Sequence, residues 1–209
     1  NKFNWRPYCV VGFSAFSFDQ VIYSLRLVDI IRTFNPNAKF ILGGNCLGES
    51  HIPDRLKYIL IDKFDVVVAG DGELPFLRCV DFALGKIDRS VIPNAYYSDQ
   101  GELKTNTIGY KYQFEHDTQP DFNGVPMDQY PLPEGVLPFR FSNGCEWGKC
   151  TFCSESADRG ELSSWLTYKE VPEDRVASHI KLLKEKWNTS VFINCSSLVT
   201  ASGGARMSQ

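Results

Sequence analysis

Three cysteines lie close together in the second half of the chain, at Cys145, Cys150 and Cys153. Four residues separate the first two, and two residues separate the last two. Three thiolates on one short segment suit an iron–sulfur cluster, because cysteine thiolates are its usual ligands. With three protein ligands, one iron of a four-iron cube would stay open to an outside ligand.

Other interpretations of these cysteines stay open on the sequence alone. A structural zinc site needs a fourth ligand, which Cys195 or His179 could supply only if the fold brought it close. The three cysteines could also be a chance group of free thiols. The chain has seven cysteines, which would indicate disulfides in a small secreted protein, but no secretory signal is visible, so we favour metal or redox chemistry in a cytoplasmic protein. We expect the remaining Cys9, Cys46 and Cys79 to be buried, because they lie in or beside apolar segments.

The composition excludes several classes of protein. The 209 residues are 43% hydrophobic with a net charge of −3, which is too apolar for a disordered chain and offers no basic surface for nucleic acid. No apolar run approaches the ~20 residues of a membrane-spanning helix. We therefore expect a globular protein with neither a nucleic-acid nor a membrane partner, large enough for one domain or two small ones.

The first ninety residues predict alternating strands and helices. Apolar runs predict strands over 9–16, 39–44 and 65–69, and helical periodicity predicts helices over 19–34, 52–64 and 74–84. Because the strands are apolar throughout, we expect a parallel sheet that is buried on both faces. Residues 1–90 therefore predict a doubly wound, Rossmann-like α/β domain.

Small and polar residues follow each of these strands. Ligands bind at the carboxyl ends of the strands in such sheets, and glycine lets a ligand approach the backbone. Any one of these loops could equally be a turn, and neither a dinucleotide-binding nor a phosphate-loop glycine motif occurs. Three such loops on one side of a sheet favour a ligand site, whose candidate residues are Ser14, Ser17, Gly43, Gly44, Gly70, Gly72 and Glu73.

Residues 91–136 predict a hairpin and then a connecting segment. Turn residues Gln100 and Gly101 lie between two β-forming stretches, which is typical of a hairpin. Five prolines between 120 and 138 favour an extended connector over a packed element. Beyond it, a short strand leads into the cysteines, and a helix over 172–187 and a strand over 190–194 follow. We therefore expect a second domain over residues 137–209.

The segment Cys145-Glu-Trp-Gly-Lys-Cys150-Thr-Phe-Cys153 resembles the cluster loop of radical S-adenosylmethionine (SAM) enzymes. The aromatic Phe152 is typical of that loop, whose usual gaps are three and two residues. Variants with a Trp-Gly pair in the first gap occur among members with an N-terminal cobalamin-binding-like domain, some of them peptide-modifying. The three strand-end loops and the segment 120–130 are similar to those of that domain and its linker, so the resemblance extends over about residues 8–200.

This resemblance implies cofactors and a reaction. Cys145, Cys150 and Cys153 would hold a [4Fe–4S] cluster whose open iron binds SAM, and Phe152 would pack near the adenine. With an electron from a reducing donor, SAM would yield a 5′-deoxyadenosyl radical that abstracts a hydrogen from a small-molecule or peptide substrate. Cobalamin would lie over the strand ends, and in many relatives it delivers a methyl group. One rival is a cobalamin-free radical SAM enzyme that performs a cyclisation or rearrangement, and another is a zinc-stabilised interaction module without turnover.

The chain departs from this family's pattern in three places. The Asp-x-His-x-x-Gly motif, which supplies a cobalt-ligating histidine in some cobalamin proteins, is absent. Cys195 and Ser196 stand where acidic or glycine residues facing the SAM amino group are expected. The second domain contains only one strand–helix–strand unit, whereas full (β/α) barrels have roughly 250 residues. We therefore expect the N-terminal fragment of such an enzyme, which ends in the first unit of an incomplete TIM-like barrel.

Overall fold

The computed structural model describes residues 3–47, 52–106, 109–113, 119–129, 135–145, 147, 149–150 and 168–196. The chain divides into two compact units, the first ending at Tyr112 and the second beginning at Gln113. No helix among these residues is long and apolar enough to cross a membrane. The first unit contains β1 (Val10–Ser14), α1 (Phe18–Phe34), β2 (Lys39–Gly43), α2 (Asp54–Lys63), β3 (Val66–Val68), α3 (Glu73–Ala83), β4 (Ala95–Asp99) and β5 (Glu102–Thr105).

A five-stranded sheet forms the centre of the first unit, with the strands in the order β1–β2–β3–β4–β5. The first three strands are parallel, and β4 and β5 are antiparallel to their neighbours. The predicted α/β class is thereby confirmed, and the sheet is parallel over its first three strands. The hairpin that the sequence places after the sheet domain pairs with β3, through Val67 and Tyr96, so it extends the sheet beyond residue 90.

Apolar side chains are buried on both faces of this sheet. Phe40 and Leu42 of β2 share one core with residues of α1 and α2 such as Val28 and Leu60. Ile41 of β2 points into a second core, which includes Cys79 of α3. Successive side chains of a strand alternate between faces, so the centre of a strand that is covered by helices on both sides must be apolar at successive positions, as Phe40, Ile41 and Leu42 are.

The second unit contains a strand–helix–strand arrangement. Its elements are β6 (Val136–Phe139), β7 (Ser142–Asn143), β8 (Lys169–Glu170), α4 (Glu173–Trp187) and β9 (Val191–Asn194). β6 and β9 pair in parallel over their whole length, and α4 lies between them in the chain. Leu183 of α4 is fully buried, while Leu182 and Ile193 are about half exposed. The helix and the second strand that the sequence predicts in this region are confirmed within a residue.

Part of the proline-rich connector packs on the second unit. The ring of Phe122 meets the ring of Trp187 edge-on, with 6.2 Å between centroids. The Lys186 ammonium lies 3.2 Å from the Asp121 carboxylate, and the pKa of Asp121 is lowered by the Asn123 N–H and by Lys186. The connector is therefore anchored to α4 at this point, where proline content alone predicted an unpacked segment.

The cysteines outside the predicted cluster differ in exposure. Cys79 is buried and Cys46 half-buried, but Cys9 is exposed. The prediction that all three are buried is therefore wrong for Cys9, which lies just before β1 and not within it. All the described cysteines are free thiols.

Cys79 is expected to resist thiol reagents in the folded protein. Burial raises the pKa of Cys79 to about 12 from an ordinary value of 9.0, so at about pH 8 its thiolate fraction, and hence its alkylation rate, should fall roughly a thousandfold below that of an exposed thiol. Because the folded chain holds this proton more tightly, Cys79 should stabilise the fold below pH 9.0, and this contribution should decline towards pH 12. Pulsed iodoacetamide labelling with mass spectrometry measures the alkylation rates of Cys79 and of Cys9, which is the exposed reference. Equal labelling of Cys79 and Cys9 would contradict the burial of Cys79.

Candidate cofactor site

The carboxyl ends of the three parallel strands form one side of the sheet, called here the carboxyl edge. Ser14, the last residue of β1, is the register partner of Gly43, the last residue of β2. Because β3 runs parallel to β2, the loop that contains Gly70 leaves the sheet in the same direction. Ser14 is exposed and Gly43 is half-buried. The three loops that the sequence nominates therefore share this edge.

Backbone hydrogen bonds of the residues on either side of Gly44 hold it against the end of β1. Its φ is +114°, and a Cβ placed on it would lie 2.3 Å from the Ala15 oxygen and 2.4 Å from the Ala15 nitrogen. The Ala15 N–H donates to Gly43 O (2.8 Å), and the Cys46 N–H donates to Ala15 O (3.3 Å). Only glycine allows both this φ and so close an approach. The packing of β1 against the turn after β2 therefore suffices to explain Gly44.

Ser17 begins α1 at the carboxyl edge. The side-chain oxygen of Gln20 accepts hydrogen bonds from the backbone N–H of Phe16 (2.5 Å) and of Ser17 (3.3 Å). These bonds satisfy donors that precede the first helical turn and fix the path of the loop. Phe16 is held here with its side chain 71% exposed. Sequence reasoning passed over Phe16, although an aromatic residue between a strand and a helix cap was a visible signal.

The third loop, from Gly70 to Glu73, differs from the other two. Gly70 has a φ of +79°, and Gly72 is the N-cap of α3. Glu73 is exposed, but Asp71 is buried, and its carboxylate accepts a hydrogen bond from the backbone N–H of Tyr112 (2.7 Å). Sequence reasoning missed this role of Asp71, because no local pattern links it to a residue so far along the chain.

The cysteine segment begins where β7 ends. β7 pairs with β8 in antiparallel register, Ser142 with Glu170 and Asn143 with Lys169. This pairing therefore holds together the two ends of the segment that contains the cysteines. Gly144, with a φ of +76°, turns the chain at its start.

Two of the three predicted cluster cysteines lie among the described residues. Cys145 and Cys150 are both half-buried free thiols. Cys153 and the aromatic Phe152 lie outside the described residues. Within the described ranges, no three side chains of histidine, cysteine, aspartate or glutamate are grouped as a metal site, so the proposed ligand set remains a prediction.

Ser196 ties the end of β9 to the start of the cysteine segment. Its hydroxyl oxygen accepts hydrogen bonds from the backbone N–H of Phe141 and of Ser142, each at 3.1 Å. The backbone N–H of Cys195 donates to Phe139 O (2.7 Å). The position that departs from the family pattern thus holds a residue with a structural role.

Replacing Ser196 with alanine is expected to loosen this junction. The variant would leave the N–H groups of Phe141 and Ser142, both in buried residues, without this acceptor, at a cost of about 1–3 kcal/mol. Urea denaturation measures the loss, and hydrogen exchange at the two amides locates it. The matched control is Ser178→Ala on the exposed face of α4, which should cost less than about 0.5 kcal/mol. Equal effects of the two substitutions would show that the Ser196 hydroxyl has no special role.

No protein-family model matches the chain, and no curated protein matches it in sequence. Solved structures do resemble it. The radical SAM methyltransferase TsrM from Kitasatospora setae, with tryptophan substrate and a SAM analogue bound, has a TM-score of 0.65 at 17% identity, over 96% of this chain and 39% of that chain. TsrM with cobalamin and a [4Fe–4S] cluster bound has a TM-score of 0.62 with the same identity and coverage.

A second neighbour is the cobalamin-dependent SAM radical enzyme OxsB with aqua-cobalamin and SAM bound. Its TM-score is 0.63 at 11% identity, over 93% of this chain and 26% of that chain. The likeness therefore includes both units of the chain, and at these identities it concerns the fold. The chain spans only about two fifths of the length of TsrM and about a quarter of that of OxsB.

Proposed function

We propose that this chain is part of a radical SAM enzyme that binds a [4Fe–4S] cluster and cobalamin. The observation that carries the proposal is the fold likeness over 93–96% of the chain to enzymes described as using these cofactors. It is supported by the order of parts along the chain, because a sheet with a ligand-accessible edge precedes the segment that contains the cysteines.

The donor set fits an iron–sulfur cluster. Cys145, Cys150 and Cys153 would supply three thiolates, and the two described thiols are half-buried, as ligands of a cluster shielded from bulk water should be. The pairing of β7 with β8 holds the two ends of the segment that contains the cysteines, which lowers the entropy that ordering them around a cluster would cost. The cluster supplies the electron that cleaves SAM, and Phe152 would pack near the adenine.

The carboxyl edge fits a large polar ligand. Ser14 is exposed, Ser17 is half-buried, and Gly43 presents backbone without a side chain. Phe16 adds an exposed ring on which an apolar part of a ligand would pack. These residues, with Gly44 shaping the turn, would hold cobalamin. Gly70, Gly72 and Glu73, which the sequence also nominates, belong to the third loop of the same edge. Bound cobalamin supplies a methyl carrier.

The reaction would be methyl transfer or another modification of a peptide or small-molecule natural product. The protein's part is to bind and orient the cofactors and to exclude water. Residues 1–90 would be the core of a cobalamin-binding-like domain and 91–136 the hairpin and linker. In residues 137–209, β6, α4 and β9 would form the first unit of the barrel. The substrate and a reducing electron donor would be the partners.

Anaerobic reconstitution of the purified chain tests the cluster. Iron and sulfide are added, excess is removed by gel filtration, and visible absorption and electron paramagnetic resonance spectra are recorded. The proposal expects a four-iron signal whose spectrum changes when SAM is added. Stoichiometric zinc binding without a four-iron signal would contradict the radical SAM proposal and would favour the zinc-stabilised interaction module.

Corrin retention tests the second cofactor independently. The chain is mixed with hydroxocobalamin and passed over a gel-filtration column, and the corrin is followed by its visible spectrum. Retention with about one corrin per chain is expected. If a chain that assembles the cluster retains no corrin, the cobalamin-free radical SAM enzyme becomes the better description.

A further inference from the structure

Asn94 fastens a distant stretch of chain to the end of β3. It is almost fully buried, with 1% of its surface exposed, and has a φ of +54°. Its backbone oxygen accepts from the N–H of Ala69, the residue after β3 (2.8 Å). Its side-chain amide donates to Tyr110 O (2.8 Å) and accepts from Tyr110 N–H (2.9 Å). One residue thus joins the end of β3 to the backbone of Tyr110.

Asp71 binds the same stretch of chain at Tyr112, two residues after Tyr110. Its buried carboxylate accepts from the Tyr112 N–H (2.7 Å). Next to these bonds, the Tyr110 side chain lies near the carboxylates of Glu73 and Asp71 at the start of α3. Burial, with the nearby carboxylates of Glu73 and Asp71, raises the pKa of Tyr110. The phenol is therefore packed against the loop as a neutral group.

We infer that residues 109–112 form a strap that closes the end of β3. In the strap, the Asp71 carboxylate accepts from the Tyr112 N–H and is thereby turned to the protein's own backbone. As a consequence that rests on the proposed function, a corrin at the carboxyl edge contacts the ends of β1 and β2, and Gly72 and Glu73 lie outside that contact. Asn94, Asp71 and Tyr110 are positioning residues for the ligand site.

Trypsin tests the strap without any ligand. The side chain of Lys111 is exposed, but its peptide bonds lie between the two anchored residues, and a protease needs a locally freed backbone. In the unaltered chain, cleavage after Lys111 should be at least about tenfold slower than after Lys86, which lies in the exposed turn after α3. Mass spectrometry of timed samples gives both rates.

One substitution and its control connect the slow cleavage to the Asp71 anchor. Asp71→Ala should speed cleavage after Lys111 relative to Lys86 by about tenfold, because it removes the carboxylate that accepts from the Tyr112 N–H. The matched control, Asp99→Asn at the exposed hairpin end, should leave the ratio unchanged. Urea midpoints identify any variant in which the whole unit has loosened. Cleavage at Lys111 as fast as at Lys86 in the unaltered chain overturns the strap, and so does an Asp71→Ala variant that behaves like the control.

Two glycine substitutions test the consequence for the ligand. A Cβ on Gly72 meets nothing within 4 Å, and one on Gly43 meets only Val68 at 3.8 Å, so both alanine variants should fold. With hydroxocobalamin as the probe, Gly43→Ala is expected to weaken binding about tenfold and Gly72→Ala less than about twofold. Equal weakening by the two, or faster cleavage at Lys111 when corrin binds, overturns the inference. If the unaltered chain binds no corrin, the cobalamin proposal fails, while the trypsin result still decides the strap.

Discussion

Replacing Cys150 with serine is expected to abolish assembly of the iron–sulfur cluster. The substitution removes one of three proposed thiolates and puts in its place a hydroxyl, which does not ionise at neutral pH and is a poor ligand for iron. Loss of an outer partner of a metal ligand costs 10–100-fold in affinity, so loss of a ligand itself should exceed about 100-fold. After anaerobic reconstitution, iron content and visible absorption should fall to background, and reductive cleavage of SAM should fall with them. Cys145→Ser and Cys153→Ser should behave alike.

Two other cysteines provide matched controls. Cys9 and Cys195 are exposed free thiols, so Cys9→Ser and Cys195→Ser change the same atom without changing the proposed ligand set. Both should retain full iron content. If Cys195→Ser loses iron as Cys150→Ser does, four cysteines and not three would be the ligands of the iron. If none of the substitutions lowers iron content, the three cysteines are not its ligands.

Replacing Gly44 with alanine is expected to cost more stability than the same substitution at Gly43 or Gly72. The new Cβ would lie 2.3 Å from the Ala15 oxygen and 2.4 Å from its nitrogen, and both are backbone atoms. The φ of +114° adds strain for any residue with a Cβ. Since the backbone cannot relax as a side chain can, we expect a loss of more than about 3 kcal/mol in the free energy of unfolding.

Gly72→Ala is the control for this substitution. Gly72 has a φ of −103° and open space around its Cβ position, so its alanine variant should lie within about 1 kcal/mol of the unaltered chain. Urea denaturation followed by circular dichroism measures both. Comparable midpoints for Gly44→Ala and Gly72→Ala would mean that the contact with Ala15 is not close in solution.

Local patterns predicted most of the secondary structure. The 3.6-residue period of α1 and α4 and the apolar runs of β2 and β3 placed these elements to within a few residues, because each reflects burial of one face or of both. The turn at Gln100 and Gly101 likewise identified the hairpin. Its pairing with β3 was not predictable, because the neighbour of a strand depends on contacts between residues that are distant in the chain, which no local pattern records.

Predictions about individual site residues were less complete. The spacing of Cys145, Cys150 and Cys153 is a local signal and was visible at once. Gly44 was nominated as a ligand contact, whereas the structure supplies a packing reason for it in Ala15. The connector was expected to be unpacked because prolines disfavour regular structure, but the Phe122 ring still packs on Trp187.

The sequence by itself determined the alternation of buried strands and helices and the cysteine spacing, because both depend on residues that are neighbours in the chain. Only the tertiary structure decided which groups at the carboxyl edge remain accessible. The bond between Asp71 and the Tyr112 N–H joins residues 41 positions apart, and Ser196 bonds to Phe141 and Ser142 across more than fifty. Such partners meet only after the strands have paired. A single hydrogen bond is too weak to offset the entropy lost in closing so long a loop, whereas the pairing and burial of the sheet strands can offset it.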